Sequence, residues 1–229
     1  MSLSLTMKQA FIALVIFVLA TNLTNAQQRF SSGIMPELKL DYKISERFSM
    51  HHSLNHQQQF YSKEDDFKSR MAQTEFQNIL AYKLSETTKI GGGYLLKIKS
   101  HDRYYHRATQ QISFKQPIAG LALSHRVSTD QTFSDQNPLF RFRYRAKAKF
   151  KFKDKALSPG DQYIMTSIET LYMIQSHNDD FENRVNLALG FYFNAVNQLE
   201  IGFDWRTDDY LVSGFRNRLW LKASYSYHL

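Results

Sequence analysis

Residues 219–229 read LWLKASYSYHL and alternate in character without a break. Apolar or aromatic side chains occupy every odd position of this stretch. A period of two defines a β-strand with two different faces. Soluble proteins seldom end on such a strand, because an open apolar edge invites aggregation, whereas bacterial outer-membrane barrels routinely do. The stretch therefore predicts an all-β protein, a transmembrane up-and-down barrel of antiparallel strands.

The same alternation recurs along most of the chain. It predicts strands at residues 37–44, 48–60, 73–84, 90–98, 108–114, 121–127, 140–149, 164–174, 185–193, 199–205 and 219–229. If the last strand ends in the periplasm, the short turn after residue 44 is periplasmic, and the strand at 37–44 runs toward the periplasm. An earlier strand that runs in the opposite direction must then precede it, and 28–32 is the candidate. Single-chain bacterial barrels have an even number of strands, so we expect about twelve, with ten as the alternative.

The predicted connections alternate in length, as short periplasmic turns and longer external loops do. Short turns are expected at 45–47, 85–88, 116–120 and 194–197, and longer polar loops near 61–69, 100–106, 134–138, 176–182 and 207–215. A soluble β-sandwich or a lipocalin-like barrel would also alternate, with its apolar residues inward. An eight-stranded soluble barrel would leave four of the predicted strands unused, so the membrane barrel is favoured.

The N-terminal residues have the features of a secretory signal peptide. Lys8 precedes an apolar run from Ala10 to Ala20, and small residues follow up to Ala26. A membrane helix needs about 20 apolar residues, which is more than this run provides. We therefore expect cleavage of residues 1–26 and a barrel formed by 27–229 in the outer membrane of a Gram-negative cell.

The composition is basic and rich in aromatic residues. The formal net charge is +8, cysteine is absent, and there are 13 Tyr and 18 Phe. In an exported protein, excess positive charge indicates anionic solutes or lipid phosphate as partners and argues against nucleic acid. The aromatic residues suit the girdles of a membrane barrel, which would contact outer-membrane lipid or other outer-membrane proteins. No pattern in the sequence indicates a cofactor.

If the apolar positions face lipid, the alternate positions face the lumen, where Lys and Arg outnumber Asp and Glu. If these alternate positions faced lipid instead, each Lys or Arg near the bilayer midplane would cost about 2–4 kcal/mol. The lumen charges on which we base a functional hypothesis are Arg126, Arg141, Arg143, Arg145, Glu169, Arg184, Glu200 and Asp204. Such a lumen suits a small anion-preferring pore. Alternatively, Glu169 and Glu200 pair with Arg126, Arg143 or Arg184 and plug the barrel, which would then be a structural or accessory subunit of a larger outer-membrane complex.

Several of these residues also carry a resemblance to a known family. At Arg126, the segment RFRYR of 141–145, Glu169 and the segment LEIGF of 199–203, the chain resembles the DUF2490 family of exported bacterial proteins. The resemblance covers most of 27–229, and Phe30 takes the place of a tryptophan that is usual near the mature N-terminus. It implies an outer-membrane β-barrel and no particular activity.

Evidence for catalysis or metal binding is weak in the sequence. A lipid-modifying enzyme would need a nucleophile and a base, and the candidate histidines are His51, His52, His56, His101, His106 and His125. Of these we single out His125, but no spacing identifies a catalytic triad, which is defined by geometry. The acidic groups at 64–66, 179–182 and 208–209 are expected to be solvated loop residues and not calcium ligands.

Overall fold

Alternating side chains build a single closed sheet in the computed structural model, which describes residues 29–100, 103–118, 121–134, 137–152, 157–176, 178–211 and 214–229. Within these residues the chain forms eleven strands. They are β1 (Arg29–Lys43), β2 (Phe48–Ser62), β3 (Asp66–Lys83), β4 (Thr88–Lys99), β5 (Arg103–Ile118), β6 (Leu121–Phe133), β7 (Leu139–Lys151), β8 (Gln162–Gln175), β9 (Asn178–Tyr192), β10 (Asn197–Asp208) and β11 (Arg216–His228). Strands adjacent in sequence pair with each other, and β1 pairs with β11 to close the barrel. The predicted all-β, up-and-down barrel is therefore confirmed.

The apolar side chains of the alternating strands face outward. Leu38 on β1, Phe142 on β7 and Phe203 on β10 are 56%, 54% and 55% exposed, although they come from different parts of the circumference. Inward side chains can be identified by contacts between strands that are not neighbours, because such contacts cross the concave inner face of the barrel. The hydroxyl of Tyr163 on β8, for example, donates to Glu200 on β10 at 2.9 Å, across β9. The wall thus separates an apolar outer face from a polar inner face.

The barrel closes in a way that the sequence did not indicate. β1 and β11 run parallel, with Gly33 opposite Trp220 and Leu40 opposite Tyr227, whereas every other pair is antiparallel. The prediction of about twelve strands, or ten, is wrong because parallel closure permits an odd number. Residues 29–32 do not form a separate strand but continue into β1 past an irregularity between Ser32 and Gly33. Gln28 and the predicted signal peptide, 1–26, lie outside the described residues.

The connections do not show the predicted difference between short turns and long loops. We call the end with the turn at 44–47 the lower end of the barrel, and the opposite end the upper end. Only residues 63–65 separate β2 from β3, because both strands extend beyond the predicted bounds. Conversely, the segment 152–161 at the lower end is among the longer connections. No helix in the described part of the chain has the length and hydrophobicity needed to cross a membrane.

Two glycines allow close approaches inside the barrel. An added Cβ at Gly202 would lie 2.0 Å from the carbonyl oxygen of Leu187, and one at Gly190 would lie 2.2 Å from the ring of Tyr163. Tyr163 is fully buried and forms an apolar cluster with Met165 and Ala188 on the inner face. The absence of side chains at these glycines therefore lets neighbouring strands and an internal aromatic ring pack tightly.

Gly202→Ala should destabilise the barrel, because the new methyl group would overlap the backbone of β9. The expected loss is about 1–3 kcal/mol in the free energy of unfolding, as for other overpacked sites. Gly92→Ala is the matched control, since a Cβ there meets nothing closer than 3.8 Å. Urea titration followed by the fluorescence of the two tryptophans measures both variants. Equal midpoints for the two would contradict the proposed steric role of Gly202.

Candidate functional site

The upper interior contains one unbroken chain of ion pairs. Every link joins a basic group to an acidic group within 4.0 Å, and the links run from β6 and β7 through β8, β9, β11 and β10 to β1. In order, its members are Arg141, Asp130, Arg143, Glu169, Arg184, Glu182, Arg218, Asp208, Arg216, Asp209 and Arg29. We refer to these residues as the ion-pair chain.

The ion-pair chain is well shielded from water along much of its length. The side chain of Asp130 has no exposed surface and accepts hydrogen bonds from Arg141 at 2.9 Å and from Arg143 at 3.1 Å. The side chain of Glu182 is 6% exposed, and its carboxylate lies 2.8 Å from Arg184 and 3.2 Å from Arg218. Buried charges must be paired and hydrogen-bonded to be tolerated, and these pairs meet that requirement.

Further pairs occupy the same level of the interior. Glu75 on β3 lies 3.5 Å from Lys97 and 3.9 Å from Arg107, and Asp204 on β10 lies 2.6 Å from Arg206. Arg206 also contacts Met35 on β1, two strands away. These side chains come from opposite parts of the wall, so the upper interior is filled from several sides.

Three acidic residues of this region contradict the prediction of solvated loops. Asp180, Glu182 and Asp208 lie within strands and are 8%, 5% and 3% exposed. Asp180 accepts the backbone N–H groups of Asp209 and Leu211 at 2.8 and 3.1 Å, so it fixes the loop after β10. Their positions could have been recognised, because Asp180 and Glu182 share the alternation phase of Arg184.

Charged groups outside the strands show how the environment affects ionisation. Burial raises the pKa of Asp209 above its usual value, and the carboxylates of Asp208 and Asp180 add to this effect, although Arg216 opposes it. At the lower end, the hydrogen bond and charge of Lys83 lower the pKa of the exposed Glu86. Asp209, in the loop after β10, therefore lies beside two other carboxylates, and Arg216 compensates their charge in part.

The lower interior has fewer acidic groups. Glu37 is shared by Lys39 at 3.0 Å and Lys222 at 2.8 Å. Glu200 accepts from Tyr163 and lies 4.0 Å from Lys147. The ammonium group of Lys149 stands 3.9 Å from the centre of the Tyr163 ring, a cation–π contact. We call this region, with Arg126 and Arg145 on its wall, the lower chamber.

The structure separates the predicted lumen charges into two groups. Arg141, Arg143, Glu169 and Arg184 belong to the ion-pair chain, and Asp204 pairs beside it with Arg206. Glu169 pairs with Arg143 and Arg184, as the plugged alternative expects, but Glu200 pairs with Lys147 instead of an arginine. Arg126 and Arg145 make no ion pair with any residue that the structure describes.

A second cluster lies on the inner face at the lower end. Asp41 accepts a hydrogen bond from Nδ1 of His51 at 2.5 Å, and its other oxygen lies 2.8 Å from Nδ1 of His228. The other ring nitrogen of His51, Nε2, is 3.4 Å from Oγ of Ser49. Lys89 Nζ lies 3.4 Å from the same hydroxyl oxygen. Ser49, His51 and Asp41 thus have the connectivity of a serine hydrolase triad, which the sequence analysis missed because Ser49 and His51 are two residues apart on one strand.

The other candidate histidines that the structure describes do not form such a cluster. His125 is stacked on Phe114, with ring centroids 4.6 Å apart, and shares a 2.8 Å hydrogen bond with the hydroxyl of Tyr144 on the outer face. His56 is paired with Thr74 at 2.8 Å. His101 lies outside the described residues. Within the residues that the structure covers, no group of three or more His, Asp or Glu side chains is arranged to hold a metal ion.

A groove of about 520 Å³ lies on the outer wall beside Gly92 on β4. Its apolar sides include Leu80, Ile90 and Ile112, and its polar rim includes Gln110 and Thr129. Gln110 and Thr129 satisfy each other through a 2.8 Å hydrogen bond. The groove is separate from the interior clusters.

Comparison with known proteins gives the family. Residues 34–211 match the family described as DUF2490, protein of unknown function. The chain belongs to the DUF2490 family. The resemblance predicted from the segments at 141–145 and 199–203 is thereby confirmed, and the match extends over most of the barrel.

Individual proteins add little to this assignment. The crystal structure of the siderophore receptor PirA from Pseudomonas aeruginosa is similar over 77% of this chain, with 9% sequence identity and a TM-score of 0.34. The chain spans 35% of the length of that receptor. No curated protein matches the chain in sequence.

Glu182→Gln should destabilise the barrel. It removes the negative charge that Arg184 and Arg218 share, while Glu169 and Asp208 remain as their other partners, so the expected cost is about 1–3 kcal/mol. Glu86→Gln is the control, because the side chain of Glu86 is 88% exposed and forms its ion pair with Lys83 at the surface. Urea unfolding midpoints should fall for the first variant and stay unchanged for the second. An unchanged midpoint for Glu182→Gln would show that the ion-pair chain does not stabilise the fold.

Proposed function

We propose that this DUF2490 protein is an integral outer-membrane β-barrel that is plugged by its own side chains and has a structural or accessory role. The ion-pair chain is the observation that supports this most directly. It follows the inner wall from β7 to β1 and places long charged side chains from several strands in the upper interior. The plugged interior is therefore favoured over the anion-preferring pore.

The width of the barrel makes this proposal physically reasonable. Eight-stranded barrels can be filled by side chains, and barrels of 16–18 strands leave an aqueous channel. Eleven strands fall between these sizes, so long side chains are needed to fill the interior. Arginine supplies both length and a charge that a facing carboxylate can compensate.

The outer wall supports a location in lipid. Apolar side chains are exposed on strands all around the barrel, whereas monomeric soluble proteins rarely expose apolar patches beyond a few hundred Å². Polar groups on this wall are hydrogen-bonded to one another, as in the pairs His56–Thr74 and Thr170–Asn183, both at 2.8 Å. Such pairing reduces the cost of placing polar groups in hydrocarbon.

Aromatic side chains near both ends of the barrel support the same location. At the upper end, the ring of Tyr61 contacts Phe30 and Phe67, with centroids 6.2 and 5.2 Å apart. At the lower end, Phe48 and Tyr82 are 5.0 Å apart. Two girdles of this kind are typical of the interfaces between membrane and water.

The conductance of the refolded protein in a planar bilayer tests the plugged barrel. We expect the wild type to carry no steady current, and the double variant Arg184→Ala with Arg206→Ala to conduct after two long side chains leave the upper interior. Under a salt gradient the variant should favour cations, because Glu182 and Asp204 each lose a cationic partner in the upper interior and rings of carboxylates select cations.

Arg47→Ala is the control for this experiment, since Arg47 lies in a lower turn and donates to Tyr82. Circular dichroism and protease protection establish that each variant is folded and inserted. Steady anion-selective current through the wild type would instead support the pore and overturn the plugged barrel.

The Ser49–His51–Asp41 arrangement favours ester hydrolysis as a second candidate function. Ser49 Oγ would attack the ester carbonyl while His51 Nε2 takes the hydroxyl proton, which then passes to the departing alcohol. Water would hydrolyse the acyl-serine by the same route and regenerate Ser49. Asp41 holds the tautomer of His51 that accepts at Nε2, and Lys89 places a positive charge near the reacting oxygen.

Hydrolysis of a short-chain p-nitrophenyl ester by the purified barrel tests this candidate. Ser49→Ala and His51→Ala should each lose the activity, since each removes a group that handles the proton or the acyl bond. Ser53→Ala is the matched control, because Ser53 lies on the same strand face, four residues from Ser49. Equal rates for all of these proteins and the wild type would eliminate the enzyme.

A further inference from the structure

Two arginines face each other on the wall of the lower chamber. Arg126 on β6 and Arg145 on β7 are directly opposite in the register of this antiparallel pair. Opposed residues on one face of a sheet have Cβ atoms about 4.5–5.5 Å apart, and like charges in this position destabilise the pair. Arg143 adds further positive charge near Arg126.

No carboxylate in the described part of the chain forms an ion pair within 4.0 Å with either guanidinium group, and Glu169 acts on both only at longer range. The nearest candidate by register is Glu169, which is opposite Arg145. Its carboxylate is already engaged by Arg143 at 3.8 Å and by Arg184 at 3.3 Å. The Nε atom of Arg126 is buried and has no hydrogen-bond partner. The Nε atoms of the ion-paired Arg141, Arg143 and Arg218 are also buried without a hydrogen-bond partner, so this donor is open to a ligand without setting Arg126 apart.

The surroundings give this pair access to solute and additional positive charge. Lys147, two residues from Arg145 on the same strand face, is 32% exposed, and Lys39 on β1 is 30% exposed. The acidic groups of the chamber are Glu37, Glu200 and Asp41, and each has the cationic or histidine partners described above. The chamber therefore has space beside these side chains and keeps an excess of positive charge.

We propose that Arg126 and Arg145 form a binding site for the phosphate group of a small solute, either inorganic phosphate or a phosphate monoester. A phosphate monoester carries a charge of about −1.5 to −2 at neutral pH, which matches the two guanidinium groups. Its oxygens can accept hydrogen bonds in pairs from each arginine, and the orphaned Nε of Arg126 is one such donor. The site differs from a pore, because it needs a chamber open at one end only, and it does not depend on the proposed membrane location.

Thermal unfolding of the refolded barrel in a sugar-headed, phosphate-free detergent tests the site, with isothermal titration to measure affinity. We expect inorganic phosphate to raise the Tm of the wild type more than chloride does at equal ionic strength. Arg126→Gln and Arg145→Gln should each weaken phosphate binding about tenfold to a hundredfold, the usual effect of losing charge-assisted hydrogen bonds. Without phosphate, both variants should be at least as stable as the wild type, because the repulsion is relieved.

Two controls make the result decisive. Arg47→Gln removes the same charge from a lower turn and should bind phosphate like the wild type. Arg126→Lys retains the charge and serves if a glutamine variant fails to fold; it should bind more weakly than the wild type because the paired donors are lost. Equal stabilisation by chloride and phosphate, or an unchanged affinity in both glutamine variants, would overturn the site.

The same measurement in lipid vesicles distinguishes the source of the phosphate. Binding of glycerol phosphate by the wild type in detergent supports a soluble monoester as the ligand. Stabilisation by vesicles that contain phosphatidic acid, without any effect of inorganic phosphate or glycerol phosphate, would assign the arginines to a lipid headgroup and overturn the solute site. Conductance plays no part in these experiments, so their outcome is separate from that of the plugged barrel.

Discussion

Eleven strands can close into an up-and-down barrel only if two neighbouring strands run in the same direction, and here these are β1 and β11. Their parallel ladder extends from Arg29 opposite Arg216 to Asp41 opposite His228. It completes the backbone hydrogen bonding that an open edge would lack, which is essential for any barrel in lipid. It also places Asp41 beside His228 and brings Arg29 to the end of the ion-pair chain. The contents of the interior therefore depend on this closure.

Closure at eleven strands creates an interior that must be filled, and the chain fills it differently at its two ends. In the upper half, acidic and basic groups alternate through space, so each buried carboxylate has a basic partner on its own strand or on another strand. In the lower chamber, the apolar cluster around Tyr163 fills part of the space, and Lys and Arg exceed the carboxylates. A low local dielectric strengthens both the attraction above and the repulsion below. The same composition thus stabilises one half and prepares the other for an anion.

Much of the wall could be predicted from the sequence, since an alternation period of two is a local property. Segments such as 140–149 and 199–205 correspond to β7 and β10, and the outward positions of Phe142 and Phe203 follow from their phase. The strand number could not be predicted in this way, because alternation does not encode which edges meet or in which direction. The even-number rule predicts a separate strand at 28–32. In the structure, residues 29–32 belong to β1.

The candidate sites were predictable to a smaller extent for a related reason. Parity identified arginines such as Arg126 and Arg184 as one class, but their partners are set by register between strands that the sequence does not align. Glu182 shares a strand with Arg184 and was assigned to a loop because acidic runs are usually solvated. Register alone would pair Arg145 with the opposed Glu169, but the Glu169 carboxylate lies with Arg143 and Arg184, and no carboxylate of the described residues forms an ion pair with Arg145. Two basic side chains on the same face of one strand can therefore differ in role. One is paired with carboxylates that fill the interior, and the other remains available to a ligand, depending on the side chains of the surrounding strands.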